Sequence, residues 1–211
     1  MLGIVNYGMG NVKSVHNAFE LLGKESKIIE NPTDLENVDA IVLPGVGSFA
    51  DGMKNLQNMG FLEEIEKQVL KNKKPYLGIC LGLEFLARKS FEGGESKGFG
   101  WIDGDIKKIV TGDPKLNVPH IGWNDTTVMK KDGVFKEIIN PAYYYVHSYY
   151  LDLDNPNDKI ISSVCEYGNT RIISSIQMDN IFAVQFHPEK SQSEGIKLLK
   201  NFIEEMVDVK K

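Results

Sequence analysis

The chain has 211 residues, 42% hydrophobic and 25% charged, the balance of a soluble globular protein with room for a sizeable α/β core. Its net charge of −5, with no basic stripe, disfavours nucleic-acid binding. Two cysteines, Cys80 and Cys165, and four scattered histidines give neither a disulfide framework nor a zinc pattern, and no stretch approaches the roughly 18 apolar residues of a membrane span.

Residues 1–6 lack a basic region and a long apolar run, so they read as a first strand rather than a signal peptide. A cytoplasmic, reducing location is the expectation. The loop Asn6-Tyr7-Gly8-Met9-Gly10-Asn11 leads into a helical pattern in which Val12, Val15, Phe19 and Leu22 fall three or four apart. Gly23 is the expected C-terminal cap. The two loop glycines lack the third glycine and the later acidic partner of a dinucleotide site. Residues 26–30 read as a second strand, Asn31-Pro32-Thr33 as a turn, and 39–43 as a third strand, apolar enough for the interior of a parallel sheet. Pro44-Gly45-Val46-Gly47-Ser48-Phe49 follows directly. Its glycines allow backbone N–H groups to approach a ligand or to flip; a plain βα turn is the alternative. Residues 61–70 form an amphipathic helix with Leu62, Ile65, Val69 and Leu70 inward.

The stretch 74–86 is a buried strand running into a helix, with Cys80 at the join. Gly78 stands two before it and Gly82 two after. A nucleophile on a sharp strand-to-helix turn needs small neighbours, because the backbone there is crowded and strained. The helix would aim its first N–H groups at the sulfur and favour thiolate. A buried structural cysteine with incidental glycines is the bland alternative. The order so far, β-α-β-β-α-β-Cys-α, is a parallel doubly wound plan, and ligands in such sheets sit at the C-terminal strand ends. Gly45-Val46-Gly47 and Cys80 both lie there.

From residue 91 to 122 the chain turns glycine-rich and irregular. Residues 101–110 look like a turn and an edge strand, 118–124 like a short strand and turn, and 143–150 like one strongly β-prone run. Residues 159–166 and 171–178 flank Tyr167-Gly168-Asn169 as a hairpin. Residues 181–186 are a last apolar strand, ending at His187-Pro188-Glu189, and 196–207 a closing amphipathic helix. With no repeat, linker or low-complexity run, one domain over 1–211 is expected.

Cys80, His187 and Glu189 are the parts needed for acyl transfer from an amide: a thiolate to attack, an imidazole to carry the proton, a carboxylate to orient the ring. The motifs around them, with Gly98-Phe99-Gly100-Trp101, Pro119-His120-Ile121-Gly122-Trp123-Asn124 and His147-Ser148-Tyr149, carry a resemblance over nearly the full length. The chain resembles the class I glutamine amidotransferases, and within them the glutaminase subunits of imidazole glycerol phosphate synthase. Cys80 and His187-Pro188-Glu189 match the wider class; the segments 7–11 and 119–124 match those subunits.

The resemblance implies an α/β fold with a mostly parallel central sheet, helices on both faces and a small antiparallel β region. It implies hydrolysis of L-glutamine to glutamate and ammonia, with ammonia passed to a (β/α)8-barrel cyclase partner in a heterodimer, in histidine biosynthesis, with no cofactor and no metal. Cys80, His187 and Glu189 would be catalytic. The N–H of Leu81 with one from Val46 or Gly47 would form an oxyanion hole, each donor worth about 3–4 kcal/mol of barrier. Gly45, Glu84, Ser148 and Tyr149 would contact the substrate, and Asn11, Pro119, Trp123, Tyr144 and Lys190 would face the cyclase. Simple strand packing is the alternative for Trp123 and the tyrosine run.

At position 84 the chain departs from most members of the family, which carry glutamine there. Glu84 is one helical turn beyond Cys80. At about 6 Å and an effective dielectric of about 20, a carboxylate would repel the thiolate by about 3 kcal/mol, or about two pKa units. Protonation of Glu84, or its rotation away, would remove the conflict. This departure keeps open a paralogue supplying ammonia for a surface-glycan sugar and a catalytically weak binding subunit; a cysteine peptidase or redox thiol on a related α/β sheet is a further alternative. His16 reads as a surface residue, His120 and His147 as non-catalytic, and Cys165 as an inert core thiol.

Overall fold

The computed structural model describes residues 1–156 and 159–209. Strand β1 (Leu2–Val5) is buried along its whole length. Helix α1 (Val12–Leu21) starts where the Asn11 side chain accepts the N–H of Ser14. It ends at Gly23, whose φ of +69° allows the paired bonds Gly23 N–H to Glu20 and Lys24 N–H to Phe19. Strand β2 (Ser26–Ile29), a 3-10 turn (Pro32–Asn37) and β3 (Ala40–Gly45) follow. Helix α2 (Phe49–Asn58) then opens on a Ser48 cap; its polar face hid it from the sequence reading, although Phe49, Gly52 and Leu56 are buried. Helix α3 (Phe61–Glu66) runs on through a π turn to Lys71.

After β4 (Tyr76–Cys80) comes α4 (Leu81–Glu84), a single turn rather than the longer helix expected. Strands β5 (Lys89–Ser90), β6 (Ser96–Lys97), β7 (Gly104–Lys108), β8 (His120–Asp125) and β9 (Thr127–Val128) fill the irregular half. The tyrosine run is two strands, β10 (Ala142–His147) and β11 (Tyr149–Leu153), which break at Ser148 and join different sheets. Then come β12 (Ile161–Tyr167), β13 (Thr170–Met178), β14 (Ile181–Val184) and α5 (Gln192–Phe202), the last starting four residues earlier than its apolar pattern.

The main sheet has the order β2-β1-β3-β4-β14-β13-β12-β9, parallel from β2 through β14 and antiparallel beyond. Alternate strand residues feed opposite faces. Ile41 and Leu43 join Phe49, Leu56, Phe61 and Ile65 of α2 and α3 on one side. Ala40 and Val42 join Val15, Phe19, Leu198 and Phe202 of α1 and α5 on the other. Each buried aromatic or leucine contributes about 2 kcal/mol of transfer free energy. Two small sheets flank this layer, β10-β8 and β11-β7-β5-β6; β7 is an interior strand there, not an edge. The parallel strands β3, β4 and β14 end together, with Gly45 beside Cys80 and Val184 beside Ile79. The site forms over those ends.

Candidate active site

The backbone at Cys80 is strained: φ is +54° and ψ is −107° for a residue with a side chain. Such a conformation costs about 1–3 kcal/mol and persists only where its surroundings impose it. Here they do. A Cβ at Gly82 would stand 1.9 Å from the Leu43 carbonyl oxygen, and one at Gly78 would stand 2.5 Å from the Gly82 oxygen. Strand, elbow and neighbouring strand therefore pack backbone against backbone, and the Tyr76 hydroxyl donates to the Gly82 carbonyl at 2.7 Å. The elbow holds Cys80 at the cleft floor, 6% exposed, with the Leu81 N–H reaching its sulfur.

His187 follows β14. Its N–H donates to Tyr144 of β10, and Ser191 Oγ–H donates to its carbonyl at 2.6 Å while accepting from the Tyr144 N–H. Pro188 turns the chain at once, so that Glu189 Oε1 accepts from His187 Nδ1 at 2.8 Å. Both side chains are almost fully buried. That bond leaves Nε2 as the end of the ring that can take a proton, and Nε2 is buried without a partner. The sulfur is not bonded to it: the Cys80 thiol donates to the Val146 carbonyl at 4.0 Å and accepts from Gln185 Nε2 at 3.9 Å. Burial first, then the Glu84 and Glu189 carboxyls, push the thiol well above its usual range, while the Leu81 N–H and Gln185 pull the other way. The helix-end field expected to favour thiolate is thus outweighed, because α4 is one turn long and burial desolvates the sulfur.

A cleft of about 530 Å³ opens above the elbow. Of the residues singled out in the sequence, Val46, Gly47, Cys80, Leu81, Glu84, Pro119, Ser148, Tyr149 and Lys190 line it. Gly45 does not; it pairs with Cys80, and a Cβ there would strike the Tyr7 hydroxyl at 2.2 Å. His187 and Glu189 lie behind the wall rather than on it. Asn11, Trp123 and Tyr144 stand outside. Trp123 is 48% exposed and packs edge-on to its cross-strand neighbour Tyr144, whose ring has the Lys190 ammonium 5.9 Å away.

Two groups in or against the cleft, Glu92 and Gln185, escaped the sequence reading, and a third, His147, reads there only as non-catalytic. Glu92 stands at the start of α2, where its Oε2 accepts the Phe49 N–H at 2.6 Å. Gln185, wholly buried, bridges Cys80 and Glu84. His147 belongs to a chain of neutral rings. Its Nδ1–H donates to the Tyr149 carbonyl at 2.7 Å, its Nε2 accepts from His120 Nδ1–H at 3.0 Å, and His120 Nε2 accepts from Asn124 at 3.3 Å. Burial lowers His147 to about 3 and His120 to about 4, so both are uncharged at neutral pH. Only the position of Gln185, two before His187, offered a signal. His16 is half-buried and shares a 2.8 Å bond with Ser26, rather than lying free at the surface; Cys165 is a buried thiol raised by desolvation. No cluster of three or more metal-ligating side chains occurs among the described residues.

The model of the glutamine amidotransferase class-I family matches residues 3–206. Imidazole glycerol phosphate synthase subunit HisH 1 of Campylobacter jejuni subsp. jejuni serotype O:23/36 is 44% identical over 203 residues, covering 96% of this chain and 98% of that protein. Imidazole glycerol phosphate synthase subunit HisH of Caldanaerobacter subterraneus subsp. tengcongensis is 45% identical over 205 residues, covering 96% and 97%. Among solved structures, a glutamine amidotransferase aligns with a TM-score of 0.73 at 18% identity, covering 96% of each chain. PurLQS from Thermotoga maritima aligns with the same score at 19% identity and the same coverage. With a family match along nearly its whole length and relatives above 40% identity, this chain belongs to the class I glutamine amidotransferases.

Proposed function

We propose that this chain, as one amidotransferase domain, is the glutaminase subunit of an imidazole glycerol phosphate synthase. It hydrolyses L-glutamine to glutamate and ammonia and hands the ammonia to a (β/α)8 cyclase partner in a cytoplasmic heterodimer. Cys80 Sγ attacks the side-chain carbonyl carbon. His187 Nε2 takes the thiol proton and returns it to the departing ammonia, and Glu189 stabilises the imidazolium. A water then loses its proton to the same nitrogen and opens the thioester, releasing glutamate and the Cys80 thiolate, which takes that proton back from His187. The N–H groups of Leu81 and of Val46 or Gly47 stabilise the oxyanion.

Glu92 is a fixed carboxylate for the substrate's α-ammonium, and the backbone and side chains of Ser148 and Tyr149 face its amino-acid end. Before attack the thiol must leave the Val146 carbonyl and swing to the unpaired His187 Nε2. Docking of a partner on the face of Trp123, Tyr144 and Lys190, next to the cleft mouth, supplies a reason for that change.

The observation that carries the reading is the strained Cys80 elbow set on the strand beside the one that ends in a carboxylate-oriented, otherwise unpartnered imidazole. The test is reconstitution with the cyclase. Glutamine should support product formation, and Cys80→Ala should lower that rate by about 10⁴-fold or more while ammonia-driven product persists. Equal glutamine-driven rates for Cys80→Ala and wild type would overturn it.

A further inference from the structure

Among the described side chains, Glu84 is the carboxyl that shares the floor of the cleft with the thiol. It is 5% exposed and four residues beyond Cys80. Its hydrogen bond is to Gln185 Nε2 at 2.9 Å, and the same nitrogen faces the Cys80 sulfur. No lysine, arginine or histidine forms an ion pair with it among the described residues; Lys190, at the rim, lies by Tyr144 instead. No other group around it supports an anion: Glu92 stands across the cleft, Glu189 acts on the same sulfur from behind, and the buried Tyr7 hydroxyl makes no hydrogen bond to it. The Gln185 carbonyl oxygen is likewise buried and unpaired. An ionised carboxylate can only accept, so it can satisfy one side of that amide. A carboxylic acid can accept and donate, so it can satisfy the amide in either orientation and still offer a donor to a substrate carboxamide.

We propose that Glu84 serves the glutaminase site as a neutral carboxylic acid locked against Gln185, and that its ionisation switches the thiol off and so sets the alkaline limit of the reaction. The inference rests on the glutaminase reading above. At the spacing of side chains one helical turn apart, about 6 Å, and an effective dielectric of about 20, two negative charges would hold the thiolate population down by about a hundredfold. Burial, reinforced by Glu92 and opposed by Gln185, raises Glu84 to about 8, which agrees with the geometry. The acid then outnumbers the carboxylate by about ten to one at pH 7, and the ratio inverts at pH 9.

The test compares wild type with Glu84→Gln, in complex with the cyclase, in kcat/KM for glutamine from pH 6 to 10. The variant-to-wild-type ratio is expected to rise about tenfold between pH 7 and pH 9. Parallel profiles would overturn the proposal. Alkylation of Cys80 by iodoacetamide, located by mass spectrometry, is measured over the same range because it needs no glutaminase activity. Profiles that part above pH 8 support the switch even where neither protein hydrolyses glutamine, and that result would sink the glutaminase reading alone. A carboxyl ¹³C titration of wild type keeps the test independent of the variant's folding: a Glu84 midpoint near 8 is expected, and one below 6 overturns the proposal.

Discussion

The two sides of the cleft are built in different ways. The floor, β4 and α4 with Cys80, is local: residues 78–84 make their own turn, and the fit is backbone on backbone, with Gly82 against Leu43 and Gly78 against Gly82. The wall at Ser148 and Tyr149 is assembled from afar. His120 of β8, His147 of β10 and Asn124 meet through side-chain hydrogen bonds, with His120 stacked between Tyr167 and Tyr145 at 4.0 and 4.9 Å. A backbone fit tolerates no added atom, whereas a side-chain chain tolerates graded loss. The floor therefore fixes the backbone of Cys80, and the wall can be tuned.

The sharpest way to break this contrast is Gly82→Ala. A methyl group 1.9 Å from a buried carbonyl oxygen forces β3 and the start of α4 apart, and nothing there is a flexible side-chain end that could yield. A loss of about 4 kcal/mol or more is expected in urea unfolding, large among single substitutions. A loss under 1 kcal/mol would mean that the elbow can relax and that the strain at Cys80 is not imposed.

His147→Ala should cost less, about 2–3 kcal/mol, because it leaves the Tyr149 carbonyl and the His120 N–H without their bonds in a buried place. It should also raise the KM for glutamine about tenfold while kcat falls less, since the Ser148–Tyr149 wall loses its anchor. The pH dependence has a definite sign. His147 and His120 are lowered to about 3 and about 4 when folded and return to about 6.5 on unfolding. The unfolded chain therefore binds more protons below that pH. The stability of wild type is full above about pH 6.5 and falls as pH drops toward 4, and His147→Ala should fall less steeply. Equal slopes would show that the rings are solvated.

The same contrast explains what was legible in the sequence. Gly78, Cys80 and Gly82 announced the elbow, because a local backbone fit writes itself as glycines at fixed spacing. His187 and Glu189, two residues apart across a proline, stood out through the family resemblance, since the spacing alone also fits a histidine at the rim of the sheet. The parallel half was readable as apolar runs, apart from α2, whose polar face masked it. The break at Ser148 was not readable: eight β-prone residues look like one strand, and only pairing with β8 and β7 divides them. The roles of Glu92, Gln185 and the His120–His147 pair depend on partners 27 or more residues away, which no spacing encodes. The raised thiol was misjudged because the expected helix shrank to one turn, and desolvation of the sulfur outweighs the field of so short an element.

The weakest link of the wall gives the finest test. Asn124 donates to His120 Nε2 at 3.3 Å and to the Glu166 carbonyl at 3.0 Å, and it lies near the exposed edge rather than in the core. Asn124→Ala removes the donor that ends the ring chain but leaves the His120–His147 and His147–Tyr149 bonds in place. A cost of about 1 kcal/mol is expected, with a change in glutamine KM of about twofold or less. A graded series, with Asn124→Ala mild and His147→Ala severe, is what a side-chain chain must give. If Asn124→Ala disturbed substrate binding as much as His147→Ala does, the wall would behave as an all-or-none unit like the floor. The distinction between a fixed elbow and a tunable wall would then fail.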